Sequence, residues 1–320
     1  ITMPKAVKLT FVFIFCLVGL SFVGFHFGVK YLSKNLNQSP EYITDLVRQI
    51  SQKSSNSYQN KDKINFILLG LDKRDDSLEK TQTTDTIIFA SLNLKDYKLN
   101  LISIPRDLWM YDLNAKINEI YPQSLNQPDK FSFIKDKFTQ LTGQSIDHVV
   151  VLTTDNLIQF VNLIGGVDVN LETGFVDNQY PNPDYIKDPK SGAPIYKTVE
   201  FKAGQVHLDQ SNITEFVRSR HGGETVAQGG TDLGRIQRQQ LLIQAILDKI
   251  KSGNFISHPS QIFDFYRFWN ESLSKDISDF QAFEIFQTIV ENLNKISLNK
   301  IEIKVGTNAK IVAVYTNEAT

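Results

Sequence analysis

Two sets of residues in this 320-residue chain have the types and spacing that phosphate chemistry needs. In the first, Asp72 and Arg74 follow an apolar run at 64–71 (INFILLGL), and Asp85 precedes a second run at 86–94 (TIIFASLNL). Arg106 and Asp107 follow a third run at 98–104 (KLNLISI), after Pro105. The second and third runs flank a Lys95-Asp96-Tyr97 turn and read as an antiparallel hairpin, in which the start of one strand lies beside the end of the other. If the first run is also antiparallel to the second, Asp72, Arg74, Asp85 and Arg106 meet at one rim. Carboxylates with spare oxygens suit Mg²⁺, and guanidinium forks suit phosphate oxygens. The plainer alternative is a set of strand-end charges pairing in solvent.

The second set is Arg218, Arg220, Asp232, Arg235, Arg238 and Gln239. The last three sit on an expected helix over 233–251, whose apolar stripe is Ile236, Ile243, Ile246, Leu247 and Ile250. Gln239 falls inside that stripe, Arg235 on its edge and Arg238 just outside it. Polar groups on the inward face of a helix start are costly unless something pairs with them. A bound anion is one such partner, and the free N–H groups of the helix start would favour it. A salt bridge to Asp232 or a solvated first turn are the alternatives. Arginine usage sharpens the point: the chain has 26 Lys and 8 Arg, and six of the eight (Arg74, Arg106, Arg218, Arg220, Arg235, Arg238) fall in these two sets.

The elements that must position these residues alternate between strand and helix. Besides the three runs, the spacing predicts a helix over 131–141, a strand over 147–152 and a helix over 154–164 stopped by Gly165-Gly166. A strand at 167–171 follows. With four Pro, two Gly and several Asn and Asp, 173–194 reads as a long loop. Helices are expected at 210–217, 233–251 and 279–295, and a strand at 300–305. The pattern is that of an α/β fold, with a mixed central sheet covered by helices on both faces.

The run at 9–29 (LTFVFIFCLVGLSFVGFHFGV) holds 21 residues without a formal charge, enough at about 1.5 Å per residue to span roughly 30 Å of hydrocarbon. No A-x-A cleavage site follows, so a retained transmembrane anchor is expected; a cleaved signal or a buried helix are the alternatives. Lys5 and Lys8 before the run are balanced by Lys30 and Lys34 after it, which leaves orientation open. Residues 30–63 are polar and read as a stalk, or in their first half as a helix of the domain itself. The remaining 64–320 form the domain.

Several chemistries are excluded. The net charge of −1 argues against nucleic acid as a partner. Cys16 is the single cysteine, and the five His form no H-E-x-x-H. There is no G-x-S-x-G elbow and no Walker A loop. What remains is positioning and charge neutralisation, which is what phosphoryl transfer requires.

At these residues the sequence resembles the LytR-CpsA-Psr family. The matching segments are INFILLGLDKR (64–74), TTDTIIFASLN (83–93), LNLISIPRDLWM (99–110), LIGGVDVNL (163–171), GQVHLDQSNITEFVRSRH (204–221) and TDLGRIQRQQLLIQAIL (231–247), together covering about 64–251. The resemblance implies a three-layer α/β/α sandwich with an apolar tunnel for a lipid tail, preceded by one transmembrane helix. It implies an extracytoplasmic phosphotransferase, with residues 1–8 in the cytoplasm and 9–29 as a single-pass membrane anchor. The substrate would be a polyprenyl-diphosphate-linked glycan, teichoic-acid- or capsule-like, and the acceptor a peptidoglycan hydroxyl. Asp72 and Asp85 would hold Mg²⁺ or Mn²⁺. Asp72, Asp85, Arg106, Arg235 and Gln239 would be catalytic; Arg74, Arg218, Arg220, Arg238 and Asp232 would bind phosphates. One carboxylate or Asp232 would help deprotonate the acceptor. Thr83 stands where the family often has an arginine, a contact that Lys73 or Lys80 could replace. A polyprenyl-diphosphate pyrophosphatase and a non-enzymatic lipid-linked-glycan sensor or transcriptional attenuator are the alternative functions.

Overall fold

A computed structural model of the chain describes residues 25, 27–52, 57–58, 60–71, 83–220, 232–253, 261–305 and 311–316. Helix α1 is described over 27–36, and α2 is Pro40–Gln52. The strands β1 (Lys63–Leu71), β2 (Thr84–Asn93) and β3 (Lys98–Ser103) follow, then the two-residue strands β4 (Trp109–Met110) and β5 (Ala115–Lys116). Next come α3 (Ile120–Ser124), α4 (Lys130–Thr142), β6 (His148–Thr153), α5 (Thr154–Leu163) and β7 (Val167–Leu171). The middle of the chain gives β8 (Phe175–Pro181), α6 (Pro183–Lys187), β9 (Tyr196–Phe201), β10 (Gly204–Leu208) and α7 (Ile213–Arg218). The last part gives α8 (Asp232–Lys251), α9 (Gln261–Arg267), β11 (Ser274–Lys275), α10 (Asp279–Glu291), β12 (Ser297–Val305) and β13 (Ile311–Thr316).

Seven strands form one mixed sheet in the order β11-β6-β1-β2-β3-β12-β13. β1 runs parallel to β6 and antiparallel to β2, and β2 is antiparallel to β3. Successive side chains of a strand point to opposite faces, and both faces of β1 and β2 are apolar. Ile67, Leu69, Ile87 and Phe89 pack against Ile134 and Phe138 of α4. Phe66, Leu68, Ile88 and Ala90 form the other face with Ile243 of α8. Helices therefore cover both sides, as the sequence predicts. Local signals set their ends. The Asp129 carboxylate accepts from the Phe131 and Ser132 N–H groups at the start of α4, and Thr153 with Asn156 forms a capping box at α5.

The stretch 173–194 corrects the expectation of a loop. It contains strand β8, paired with β9, and the single-turn helix α6. Its prolines sit where they do little harm: Pro181 is the last residue of the strand, and Pro183 is in the first turn of α6, where an N–H has no helical partner. β9, β10, α9 and β13 were also not anticipated. Helix α10 ends at Glu291, short of the expected 295, and a 3₁₀ turn, Leu293–Lys295, follows.

Of the two readings of residues 40–52, the structure shows the helix of the domain. Ile43 of α2 is 1% exposed, and the Tyr42 hydroxyl donates to Asp279 of α10. Tyr58 is also buried, 2.6 Å from His148 Nε2. Among the described residues no helix is long and apolar enough to cross a membrane; the run 9–29 lies almost wholly outside them. Replacing Ile43 by Ala should cost about 2–5 kcal/mol, read by urea unfolding. A loss below about 0.5 kcal/mol, typical of an exposed site, would mean that α2 is only a tether.

Candidate active site

Asp85 is the second residue of β2, beside the end of β1 where Leu71 pairs with Thr84. The hairpin brings the end of β3 to the same place, and Pro105 turns the chain so that Arg106 Nη1 donates to Asp85 Oδ1. Arg220 arrives from the segment after α7, and its Nη2 donates to Asp85 Oδ2 at 2.6 Å. Arg235, on the first turn of α8 and only 4% exposed, has Nη2 3.4 Å from the Asp85 backbone oxygen. One turn later, Gln239 donates to Thr86 Oγ1 at 2.9 Å. Gly70 of β1 makes room for this contact: a Cβ there would stand 2.9 Å from Thr86 Cβ. Residues from three distant parts of the chain thus converge here: Arg106 and Arg220 on the Asp85 carboxylate, Arg235 on its backbone and Gln239 on the neighbouring Thr86.

Burial works against the charge on Asp85, raising its pKa. The positive charges of Arg106, Arg220 and Arg235 outweigh that effect and hold the carboxyl below its ordinary value. Asp85 is therefore ionised at neutral pH.

Arg238 departs from the expected phosphate-binding role. It is buried, with Nε donating to the Phe216 carbonyl at 2.8 Å, Nη2 donating to the Ser219 carbonyl, and its guanidinium 4.3 Å from the centre of the Phe175 ring. Burial, with Asp177 opposing, brings its pKa down to about 10, so it is still a cation. Arg238 closes the C-terminal end of α7 and fixes the chain leading to Arg220.

Asp177 is the site residue that sequence reasoning missed, because it lies in the stretch read as a loop. Its Oδ2 accepts the Arg220 backbone N–H at 2.9 Å, and it is 1% exposed. Asp72 and Arg74 lie outside the described residues, as does the side chain of Asp232, whose backbone opens α8. Among the described residues no group of three His, Cys, Asp or Glu could hold a metal. Both Asp85 oxygens accept from guanidinium groups, and Asp72, the other expected metal ligand, lies outside the described residues.

The cluster forms the polar end of a cavity of about 1650 Å³. Arg218, Arg220, Arg235 and Gln239 line that end with Asp85 and Asp177. Away from it the walls are mostly apolar, with Phe66, Leu68 and Ile88 from the sheet and Ile243, Ile246 and Ile250 from α8, and Lys187, Tyr266 and Asp279 among the polar exceptions. A compact ligand needs roughly 300–1,000 Å³. This volume, with cations at one end, suits an anionic head on a long apolar tail.

Fold and site together define an α/β protein with an arginine cluster at one end of a largely apolar cavity. The family model described as LytR_cpsA_psr matches residues 29–319, and the chain belongs to that family. The match reaches beyond the 64–251 covered by the sequence motifs. A relative from Oceanobacillus iheyensis, named polyisoprenyl-teichoic acid–peptidoglycan teichoic acid transferase TagU, is 29% identical over 65% of this chain and 58% of its own length. An Enterococcus faecalis protein of the same name is 26% identical over 72% of this chain and 66% of its own. The chain thus spans under two thirds of the length of either relative. The crystal structure of B. subtilis TagV shares the fold, with a TM-score of 0.54, 21% identity, and coverage of 79% of this chain and 91% of that one.

Asp85→Asn should lower stability at pH 7 by about 1–3 kcal/mol, because Arg106 and Arg220 lose a charged acceptor. A carboxyl with a depressed folded-state pKa contributes stability above its unfolded value of 3.8, and the contribution fades as pH falls through the folded value. Denaturation curves of wild type and variant should therefore differ at pH 7 and converge below pH 3.8. A gap that does not change with pH would contradict the ion-pair account.

Proposed function

We propose that this chain transfers a phosphate-linked glycopolymer from a polyprenyl-diphosphate carrier to a hydroxyl of peptidoglycan. The observation that carries the reading is the arginine cluster at one end of an apolar cavity, which matches a diphosphate head with a prenyl tail. The names of the two transferase relatives support the same substrate class. The acceptor oxygen attacks the glycan-bearing phosphorus, the bridging P–O bond breaks, and polyprenyl phosphate leaves. Arg218, Arg220 and Arg235 hold the phosphate oxygens, and Arg106 and Arg220 turn from Asp85 to the charge that develops on the leaving group. Asp85, relieved of two cations, regains basicity and takes the acceptor proton. Gln239 fixes the α8 start against Thr86.

Holding Mg²⁺ or Mn²⁺ would need Asp72 beside an Asp85 released from its arginines. The reaction belongs outside the cytoplasmic membrane, where the acceptor is, with residues 9–29 as a single-pass anchor and the N-terminus in the cytoplasm.

The test is to mix the purified protein with a polyprenyl-diphosphate-linked glycan and peptidoglycan fragments. Glycan should appear on the fragments and polyprenyl monophosphate should accumulate. Arg220→Ala should slow both by about 10²–10³-fold, the size seen for loss of one preorganised donor. Equal release of polyprenyl phosphate without the acceptor would replace transfer by hydrolysis.

A further inference from the structure

We infer that the apolar end of the cavity is a portal pressed against the lipid bilayer, formed by the outer face of α10 with α9 and α1. This inference rests on the proposed lipid-linked substrate and adds where its tail enters. Phe286 and Val290 of α10 line the cavity and are 53% and 49% exposed. Phe283, two turns before Val290, and Ile262 of α9 likewise line the cavity and remain exposed. A wall residue that also faces outward lies at a mouth. These side chains make that mouth apolar, the opposite of what water-facing helices present.

The chain itself indicates what covers this mouth. The uncharged run 9–29 leads directly into α1. Two contacts then hold the next segments along the cavity wall. The Tyr31 ring of α1 meets Phe263 of α9 edge-on at 5.9 Å, and Tyr42 of α2 donates to Asp279 at the start of α10. The Tyr266 hydroxyl donates to the same carboxylate at 2.7 Å, tying α9 into the latch. Leu46 of α2 reaches the cavity wall. Phe27, one helical turn before Tyr31, is 67% exposed. The described part of α1 and the mouth thus lie along one side of the molecule. A bilayer on that side would cover both at once, and a prenyl tail could pass from hydrocarbon to cavity without crossing water. Exposing an apolar tail to water is unfavourable in proportion to its length, so a sealed portal removes a large barrier for a long tail.

The test uses the full chain with Cys16→Ser, reconstituted in vesicles of equal parts phosphatidylglycerol and phosphatidylethanolamine. Phe286→Cys or Val290→Cys carries an environment-sensitive fluorophore, and Tyr111→Cys, at a fully exposed position, is the control. Lipids spin-labelled high on the acyl chain should quench roughly half or more of the emission at 286 and 290, as expected for a face buried about 5–10 Å into the interface, and leave 111 unchanged. Iodide in the buffer should do the reverse. Labels at 286 and 290 that behave like 111 would overturn the portal. So would labels shielded from both quenchers, since a second copy or another protein would then cover the face. The readout needs no turnover: quenching without transfer would leave the portal standing and the transferase reading in doubt, and transfer without quenching would do the opposite.

Discussion

One carboxylate holds the site together. Asp85 accepts from Arg106, twenty-one residues downstream on the hairpin, and from Arg220, one hundred and thirty-five residues downstream beyond α7. Asp85 and both arginines are partly buried, and a partly buried carboxylate without cations would be costly. The pairing works in both directions. It lets β2 begin with an ionised residue at the sheet rim, and it keeps guanidinium groups gathered where like charges would otherwise separate them. An anion entering the cluster meets cations already in place, and the cost of assembling them has been met in folding.

A second constraint acts on the other face of the sheet. Between the sheet and α4 the layer is filled: Ile134 and Phe138 are fully buried against Ile67 and Leu69. Between the sheet and α8 the corresponding side chains, Phe66, Leu68 and Ile88, border the cavity. Protein interiors otherwise pack as tightly as organic crystals. A fold that fills one layer and leaves the other open gives up contact energy on one side, and under the proposed function an apolar tail in that space would restore it. Arg238, its fork committed to the Phe216 and Ser219 carbonyls, braces the wall that borders this opening.

Much of this was legible from residue order. The three strand runs were placed within two residues, because each is bounded by turn residues and carries apolar side chains on both faces. The antiparallel register that brings Asp85 and Arg106 together followed from the short turn between two of them. Asp177 was not legible. Proline and asparagine density marked 173–194 as a loop, although prolines are tolerated at a strand end and in a first helical turn, where Pro181 and Pro183 sit. β9 was missed despite the alternation of Val199 and Phe201, since a two-stranded ladder leaves a short and weak pattern. The split between Arg235 and Arg238 needed coordinates: the wheel gives direction, and only the partners show which guanidinium is committed to backbone.

The order of residues along α8 also sets the direction in which a ligand can lie. Arg235 and Gln239 occupy its first turns at the polar end, and Leu242, Ile243, Ile246 and Ile250 continue the same lining toward its C-terminus. Positions 235 and 250 are roughly 22 Å apart at the rise of an α-helix. A single helix therefore presents cations and backbone N–H groups to one end of the cavity and hydrocarbon to the other, with no turn of chain between them. A diphosphate bound the other way round would lay two charged groups on isoleucine and its tail on buried arginine, and both placements are strongly unfavourable. For the proposed substrate, the polarity of α8 would set the head toward Asp85 and the tail toward α10, and would leave the phosphorus at the rim where an acceptor hydroxyl could reach it from solvent.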